Sequence, residues 1–349
     1  MAELMRRGEP EGGELEGGEL EGGGPPARVP TASAASAVAV LRGVVRLVLV
    51  RVSLLVALLA LVFAAVELLP GDAATATAER GESAADLAAR RHLLGLDQPL
   101  WTRFAAWMTA LPTGDLGVSA HGRPVAEALA DPFPNTLVLA LSALALTVLA
   151  SLALGCWAAT RPGGPADRVV GHLATSAFAL PEYIVAVALV LPLALWTGLL
   201  PAVTVTDGSG SPRSWTMLIM PVLALAIPQT GWNTRIVRGA LADQAALPHV
   251  EAAVLDGLPA RVVVLRHALP GAVPAIAAGI ATSAGMLFGG AVVVETLFNH
   301  PGIGTLLAGA VSDRDTPLVA GVAACAGAVI TLVLLASDLI RDAVVGGRR

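Results

Sequence analysis

The chain contains no lysine, because all 22 of its basic residues are arginine. That absence excludes chemistries that depend on a lysine side chain. A P-loop ATPase needs a lysine on the nucleotide phosphates, a protein kinase needs one in its third strand, and a pyridoxal phosphate enzyme needs one for its Schiff base. We therefore expect no ATP hydrolysis by this chain itself. Arginine in place of lysine, beside abundant alanine, glycine and proline, is also typical of a GC-rich genome.

Charged residues are scarce as well. They make up 14% of the 349 residues, whereas hydrophobic residues make up 55% and the mean hydropathy is +0.72. Soluble domains hold about 25% charged residues because their surfaces must be solvated. Most of the surface of this chain is therefore expected to lie in lipid.

The net charge of -5 comes largely from the first 28 residues, which hold seven acidic residues and three arginines. The remainder has 20 acidic residues against 19 arginines, a net charge of -1. Such a balance predicts no nucleic-acid partner. Residues 1–40 also contain a Gly/Glu-rich repeat, EGGEL-EGGEL-EGGG, followed by Pro, Ala and Ser. We predict a disordered acidic tail over 1–40, a membrane domain over 41–345 and a short C-terminal tail over 346–349.

Neither a metal site nor a catalytic site is predicted. Cys156 and Cys325 lie inside apolar runs and are interpreted as small buried hydrophobic residues. The chain has no HExxH motif and no arrangement typical of a protease or transferase, so a membrane-embedded enzyme is disfavoured. The six histidines show no paired spacing that favours metal binding; they are His92, His121, His172, His249, His267 and His300.

Six apolar runs meet or approach the roughly 20 residues that a helix needs to cross a bilayer. They cover residues 48–69, 136–159, 169–200, 215–232, 268–294 and 316–337. The third is interrupted by Pro181-Glu182 and Pro192, and the fourth carries Pro221 and Pro228. The predicted fold is an all-α polytopic membrane protein with six transmembrane helices, which places both termini on one side.

The arginines indicate which side that is, because short basic segments tend to remain in the cytoplasm. Twelve arginines flank the runs on one face, at 42, 46, 51, 161, 168, 235, 238, 261, 266, 341, 348 and 349. On the opposite face the two short loops carry only Arg213 and Arg314. Both termini are therefore predicted to be cytoplasmic.

This topology puts a long polar segment on each side of the membrane. The outer segment, 70–131, contains an aromatic stripe at helical spacing, formed by Trp101, Phe104, Trp107, Met108 and Leu111. The stripe is interpreted as local core or an interfacial anchor, with docking of an extracytoplasmic partner as the alternative. The inner segment covers 234–267.

The inner segment is patterned as a helix, a bend and a second helix. Pro248 suits the first turn of a short helix, Glu251 lies near its positive end, and Gly257 can take the left-handed conformation that ends it. Pro259 then begins the second helix. Its predicted anchors against the bundle are Leu258, Val262, Val263 and Leu265.

The residues from Glu251-Ala252-Ala253 through Gly257 to His267-Ala268-Leu269-Pro270 resemble the EAA loop of ABC importer permeases. His267, at a place usually apolar, is the one departure within the motif, and an Arg-His pair there resembles the peptide-transporting branch. The resemblance implies a helix that fits a cleft in a separate ATPase subunit. The implied coupling residues are Pro248, His249, Val250, Glu251, Ala252, Ala253, Asp256 and Gly257.

Further stretches over about residues 42–345 resemble the dipeptide, oligopeptide and nickel permease family of the bacterial or archaeal cytoplasmic membrane. They are LLPGD (68–72), LGLDQPL (94–100), GDLGVS (114–119), RPV (123–125), PNTL (134–137) and VVVETLFNHPGIGTLL (292–307). The resemblance implies a type I ABC importer permease fold, a second permease subunit, two ABC ATPase subunits that use ATP and Mg, and an extracytoplasmic binding protein. No cofactor is expected on this chain.

The resulting functional hypothesis is a non-catalytic permease subunit that forms the path for short peptides. Nickel or another small solute is the alternative cargo. An ion-driven secondary transporter is the alternative class of protein. It is disfavoured because the helices are largely uncharged and no inverted internal repeat of helices is evident. Candidates for the path or its gate are polar residues in or beside the apolar runs and a GxxxG spacing. They are Glu182, Gly285, Gly289, Glu295 and Asn299.

Overall fold

The computed structural model describes residues 34–78, 82–208 and 210–346, with side chains over 42–343 apart from the same gaps. By its contacts the chain divides into two units, Met1–Gly43 and Val44–Arg349. Of the first unit only the beginning of a helix is described, and the helical bundle belongs to the second. The predicted disordered tail lies outside the described residues up to residue 33. Residues 34–40 are helical, and residues 347–349 also lie outside the described part.

The described residues form helices joined by turns, and contain no β-strand, only isolated bridges at Val118 with Pro124 and Thr206 with Pro212. The helices are α1 (Ala34–Glu67), α2 (Ala73–Ala76), α3 (Ala84–Leu93), α4 (Leu100–Ala110), α5 (Val125–Leu129), α6 (Pro132–Ala159), α7 (Pro165–Ala179), α8 (Glu182–Val190), α9 (Thr216–Ala245), α10 (Pro248–Leu255), α11 (Ala260–Val262), α12 (Leu269–Phe298), α13 (Ile303–Ser312) and α14 (Thr316–Gly346). A 3₁₀ turn covers Leu111–Thr113, and π-helical segments cover Leu191–Trp196 and Val263–Ala268.

Four stretches of the described chain are long and apolar enough to cross a membrane: Arg42–Glu67, Val125–Ala159, Ala260–Phe298 and Thr316–Ala343. A fifth results if Pro165–Ala179 and Glu182–Trp196, which meet at a bend of 101°, count as one span. The bend falls at the predicted Pro181-Glu182 interruption. The fourth predicted run lies in α9, which is not among these stretches, so the count of six stays a prediction.

The interior of the bundle forms where α6, α9 and α12 pack together. One apolar cluster joins Leu139, Leu225 and Leu287. Glycines bring the helices close, because a Cβ on Gly155 would lie 2.5 Å from Val237 and one on Gly279 would lie 2.7 Å from Ile236. Pro221 and Pro228 do not interrupt α9, which stays helical where it packs against α6 and α12.

Charged side chains mark the two ends of the apolar part of α1. The Arg51 guanidinium lies 2.8 Å from the carboxylate of Asp338 on α14. Glu67 lies 2.8 Å from Arg103 on α4, and its carboxylate accepts a hydrogen bond from Thr316 at 3.1 Å. Sixteen helical residues separate Arg51 from Glu67, about 24 Å along the axis. That distance is close to the thickness of the hydrocarbon core, so both charges are placed at its boundaries.

The predicted outer segment folds against the ends of α1 and α14 through α2–α5. Trp107 is buried beside Phe63, Phe104 is half-buried in the same cluster, and Trp101 is 73% exposed. Trp107 and Phe104 are therefore local core, as one of the two interpretations of the stripe predicted, whereas the exposed Trp101 is left to the interfacial-anchor interpretation. Asp315, fully buried before α14, accepts hydrogen bonds from the Ser119 hydroxyl at 2.5 Å and the Ala120 N–H at 2.8 Å.

Candidate functional site

The inner segment forms a short helix, α10, that presents one face outward. Pro248 occupies its first turn, and Gly257, with φ of 74°, ends the turn after it. Val250 and Ala253 are buried, whereas Glu251 and Ala252 are exposed and Leu255 is 80% exposed. The predicted helix and glycine bend are thus confirmed. His249 and Asp256 are exposed as well, and His249 Nε2 lies 3.4 Å from the carbonyl oxygen of His267.

A π-helical segment, Val263–Ala268, joins this bend to α12. Its geometry follows from Pro270, which has no N–H to give to the carbonyl of Arg266. The Leu269 N–H instead reaches the carbonyl of Val264, five residues back. Val263 and Val264 are buried and form the anchor. Of the predicted anchors, Leu258 and Leu265 are exposed, so those two predictions are wrong.

The first part of the inner segment is helical, whereas its polarity predicted a loop. Helix α9 continues to Ala245, so Arg235 and Arg238 lie on its last turns. Arg238 forms an ion pair with Asp167 of α7, with Nε 2.6 Å from Oδ1. No pattern in the sequence signals this pair, because the partners are 71 residues apart and both look like ordinary cytoplasmic charges.

The Phe298 end of α12, predicted to be the outer one, is organised around the carboxylate of Glu295, which is fully buried. One of its oxygens accepts a hydrogen bond from the Thr136 hydroxyl of α6 at 2.5 Å, and the other accepts one from the Gly304 N–H of α13 at 2.7 Å. The Thr136 oxygen in turn accepts a hydrogen bond from the Ile303 N–H at 2.9 Å. We call Glu295, Thr136 and Gly304 the outer latch, since they join three helices.

Asn299 and His300 complete this end. Asn299 adopts a left-handed conformation, φ 51°, and caps α12. The buried His300 donates its backbone N–H to the carbonyl of Glu295 at 2.8 Å. Sequence reasoning missed Thr136 and Gly304 as latch residues. Their only signal is that they lie within the PNTL and PGIG stretches, which are part of the family resemblance.

The other candidates for the path lie elsewhere on α8 and α12. Glu182 is half-buried at the start of α8, where its carboxylate lies 3.3 Å from the place of a Cβ on Gly290. Gly290 is eight residues, about 12 Å, from the Phe298 end of α12. Gly289 is exposed, and a Cβ added there would have nothing within 4 Å. A Cβ on Gly285 would lie 3.9 Å from Ile330.

The structure thus gathers the predicted coupling residues on α10 and the two residues after it, but divides the path candidates. Glu295 and Asn299 lie within about one turn, Glu182 lies beside Gly290, and Gly285 and Gly289 border an apolar groove of about 640 Å³ between α1, α12, α13 and α14. In the described part of the chain no cluster of three or more metal-ligating side chains occurs.

Two family models match the chain. The model for the inner membrane component of binding-protein-dependent transport systems matches residues 151–349, and the model for the N-terminal part of such membrane components matches 40–140. The chain belongs to this family of transport permeases. It is therefore a multi-pass protein of the cytoplasmic membrane and a permease subunit of an ABC importer.

Similar curated proteins carry transport names. A probable peptide ABC transporter permease, y4tP of Sinorhizobium fredii, is 29% identical over 80% of this chain and 90% of its own length. The glutathione transport system permease GsiC of Salmonella choleraesuis is 34% identical over 74% of this chain and 83% of its own. GsiC of Pectobacterium atrosepticum is 33% identical over 76% and 85%, respectively.

Proposed function

We propose that this permease subunit forms the path for short peptides delivered by an extracytoplasmic binding protein, and that α10 receives the movement of an ATPase subunit. The observation that carries the coupling role is the outward face of α10. Val254 is 59% and Leu255 80% exposed beside the exposed Glu251, and apolar residues at a cytoplasmic surface favour burial by a partner. The relatives named for peptide and glutathione transport support the choice of cargo.

The proposed assembly contains this chain, a second permease subunit, two ABC ATPase subunits that use ATP and Mg, and the binding protein. This chain contributes no catalytic residue and holds no cofactor. Its permease domain covers 41–345, with the outer segment 70–131 facing the binding protein. Within 234–267 the coupling part begins at Pro248, after the end of α9.

We infer six spans with both termini in the cytoplasm, α9 being the fourth. Helix α9 packs along α12 over its whole length, since Met220 and Leu225 share a cluster with Phe298 while Val237 shares one with Ala272. A helix of 30 residues is about 45 Å long, enough to cross a bilayer. If α12 crosses, its antiparallel neighbour crosses with it. The arginines at the α10 end of both helices support a cytoplasmic position for that end.

The proposed wall of the path is the exposed stripe of α12. Thr282, Met286, Gly289 and Val293 are exposed at intervals of three and four residues, so they share one face of the helix. Gly285 borders this face, and Glu182 borders it on the α8 side at the level of Gly290. Glu295 and Asn299 are assigned to the frame of an outer gate, because the carboxylate of Glu295 is fully engaged inside the bundle.

The test is reconstitution of the complete complex in liposomes, with uptake of labelled di- and oligopeptides measured against uptake of nickel. Peptide uptake that requires ATP and the binding protein is expected, and nickel uptake without peptide uptake would overturn the choice of cargo. The variant Ala252→Trp should abolish uptake while the protein remains in the membrane, since the indole would prevent α10 from seating. Ala252→Ser is the matched control and should transport normally; equal transport by both variants would contradict the coupling role.

A further inference from the structure

The ion pair between α7 and α9 is unusually well built for a site near the cytoplasmic surface. The Arg238 guanidinium places Nε 2.6 Å from Oδ1 of Asp167 and Nη2 3.0 Å from Oδ2. These are two parallel charge-assisted hydrogen bonds, the geometry that makes arginine a directional partner for a carboxylate. The same Oδ2 accepts a hydrogen bond from the Gly163 N–H at 3.0 Å, in the turn between α6 and α7.

The surroundings shield the pair and fix its position. The Asp167 side chain is 11% exposed and that of Arg238 is 36% exposed. The guanidinium lies over Gly171 of α7, where an added Cβ would be 3.4 Å from Nη1. An ion pair held this way is stronger and more rigid than an exposed one, which is loosened by water and side-chain entropy.

The coupling helix reaches α7 through this region. Val250 and Ala253 of α10 pack into one cluster with Val237 and Leu241 of α9. Val237 comes one residue before Arg238, and Leu241 comes three residues after it. Between α10 and the pair lies a cavity of about 380 Å³, bordered by Val250, Val254, Asp167 and Arg238 among others. Movement of α10 can therefore reach the end of α9 through this cluster, which also contains Val263 and Val264 of the π-helical segment that leads to α12.

Near the Ala245 end of α9, the ion pair between Arg238 and Asp167 connects α9 to α7. The close approach of Gly231 to Ala174 also joins these two helices, but Gly231 is seven residues, about 10 Å, further into the bundle. Phe178 of α7 also stacks on Trp232 of α9 and lies under the Arg235 guanidinium, 5.9 Å from its ring centroid, so Arg238 and Asp167 form the contact nearest the Ala245 end of α9 among these. Helix α7 leads through the 101° bend into α8, which begins with Glu182.

We propose that Asp167 and Arg238 are positioning residues that carry the displacement of α10 from α9 to the bent pair α7–α8. The inference rests on the proposed coupling function and deepens it. It differs from a purely structural role, in which the pair would only hold two helices together. The two roles are distinguished by a variant that lacks both charges.

The experiment uses the complete importer in liposomes with its native partner subunits. Peptide transported per ATP hydrolysed is measured for the wild type, Asp167→Asn, Arg238→Gln, the double variant and the neighbouring control Arg168→Gln, together with the yield of assembled complex. Each single variant leaves one unpaired charge and is expected to lower the yield. The double variant removes that penalty, so its yield should recover.

For a positioning role, the double variant should still transport about five- to tenfold less peptide per ATP than the wild type, as expected for a lost coupling of ordinary size. Arg168→Gln should transport normally, because Arg168 is exposed on the same helix. A double variant with wild-type transport per ATP would overturn the inference and leave the proposed function intact. A wild-type complex that takes up no peptide would instead overturn the proposed function.

Discussion

Glu295 accepts a hydrogen bond of 2.5 Å from the hydroxyl of Thr136, a residue 159 positions earlier in the chain. Its second oxygen accepts the N–H of Gly304, so one carboxylate joins α6, α12 and α13 at the outer end of the bundle. An uncompensated carboxylate inside a bundle is costly, and these donors offset that cost. Loss of the Glu295 side chain would therefore remove the hydrogen bonds to both α6 and α13.

Removal of the Glu295 side chain should destabilise the protein. Glu295→Ala leaves the Gly304 N–H and the hydroxyl hydrogen of Thr136 buried without an acceptor, although the Thr136 oxygen keeps its hydrogen bond from Ile303. The expected cost is about 2–3 kcal/mol in the free energy of unfolding. Glu295→Gln keeps one acceptor and should lie between the alanine variant and the wild type. The measurement is unfolding of the purified protein in detergent. Glu127→Ala, at an exposed glutamate of α5, is the control and should be neutral.

Gly304 of the outer latch and the nearby Gly302 should tolerate no side chain. A Cβ on Gly302 would overlap the Glu295 carboxylate, and one on Gly304 would lie 2.5 Å from the Cα of Val292. Gly304→Ala should therefore lower the thermal midpoint of unfolding. Gly309→Ala, on the same helix with nothing within 4 Å, should instead raise stability by about 0.5–1 kcal/mol. Equal effects at the two positions would contradict the close packing.

The outer segment should loosen in acid. Burial opposes ionisation of Asp72, but hydrogen bonds from Thr75 and the nearby Arg91, whose Nε lies 2.6 Å from Oδ2, hold the pKa of Asp72 below its usual range. A lowered pKa in the folded state contributes stability above the ordinary carboxyl pKa, and that stability is lost as pH falls through the lowered value. Because both side chains are partly exposed, the effect should be small.

Hydrogen exchange of residues 72–77 and 84–93 measures this effect between pH 7 and pH 3. Protection should fall with pH below about 4 in the wild type. Asp72→Asn should show weaker protection at pH 7 and a flatter pH dependence. A variant whose pH profile matches that of the wild type would show that the contact with Arg91 and Thr75 does not order this region.

The proposed topology places residues 208 and 252 on opposite sides of the membrane. After Cys156 and Cys325 are replaced by alanine, a cysteine at Gly208 should react with a membrane-impermeant maleimide in intact cells. A cysteine at Ala252 should react only after permeabilisation. Both positions are exposed in this chain, and the cells used lack the ATPase subunits that would cover Ala252, so a difference in labelling reports sidedness and not burial. Reaction of both cysteines in intact cells would exclude a crossing of the membrane by α9.

Helices and bends could be predicted from local patterns because the relevant forces act over a few residues. Pro248 and Gly257 define the ends of the coupling turn through their own backbone preferences, and the structure has both as predicted. The limits of α9 could not be predicted. Its second half is polar, which resembles a loop, yet packing of Val237 and Leu241 against the coupling segment keeps it helical as far as Ala245.

The predicted anchors Leu258 and Leu265 show a second limit. Leu258 lies at the bend before Pro259, outside any helix. Leu265 lies in the π-helical segment, whose wider turn changes which residues face the bundle. The cause, Pro270, is visible in the sequence. Whether Val264 then faces the bundle depends on where the neighbouring helices lie.

The amino-acid sequence by itself determined a helical membrane protein, the absence of lysine-dependent chemistry, and a short helix from Pro248 with a glycine bend at Gly257. Composition and short-range periodicity carry that information. Only the tertiary structure decided that Glu295 pairs with Thr136 and that Arg238 pairs with Asp167. A buried or shielded charge takes whichever partner the packed helices bring within about 3 Å. No spacing along the chain encodes that proximity when the partners are 71 or 159 residues apart.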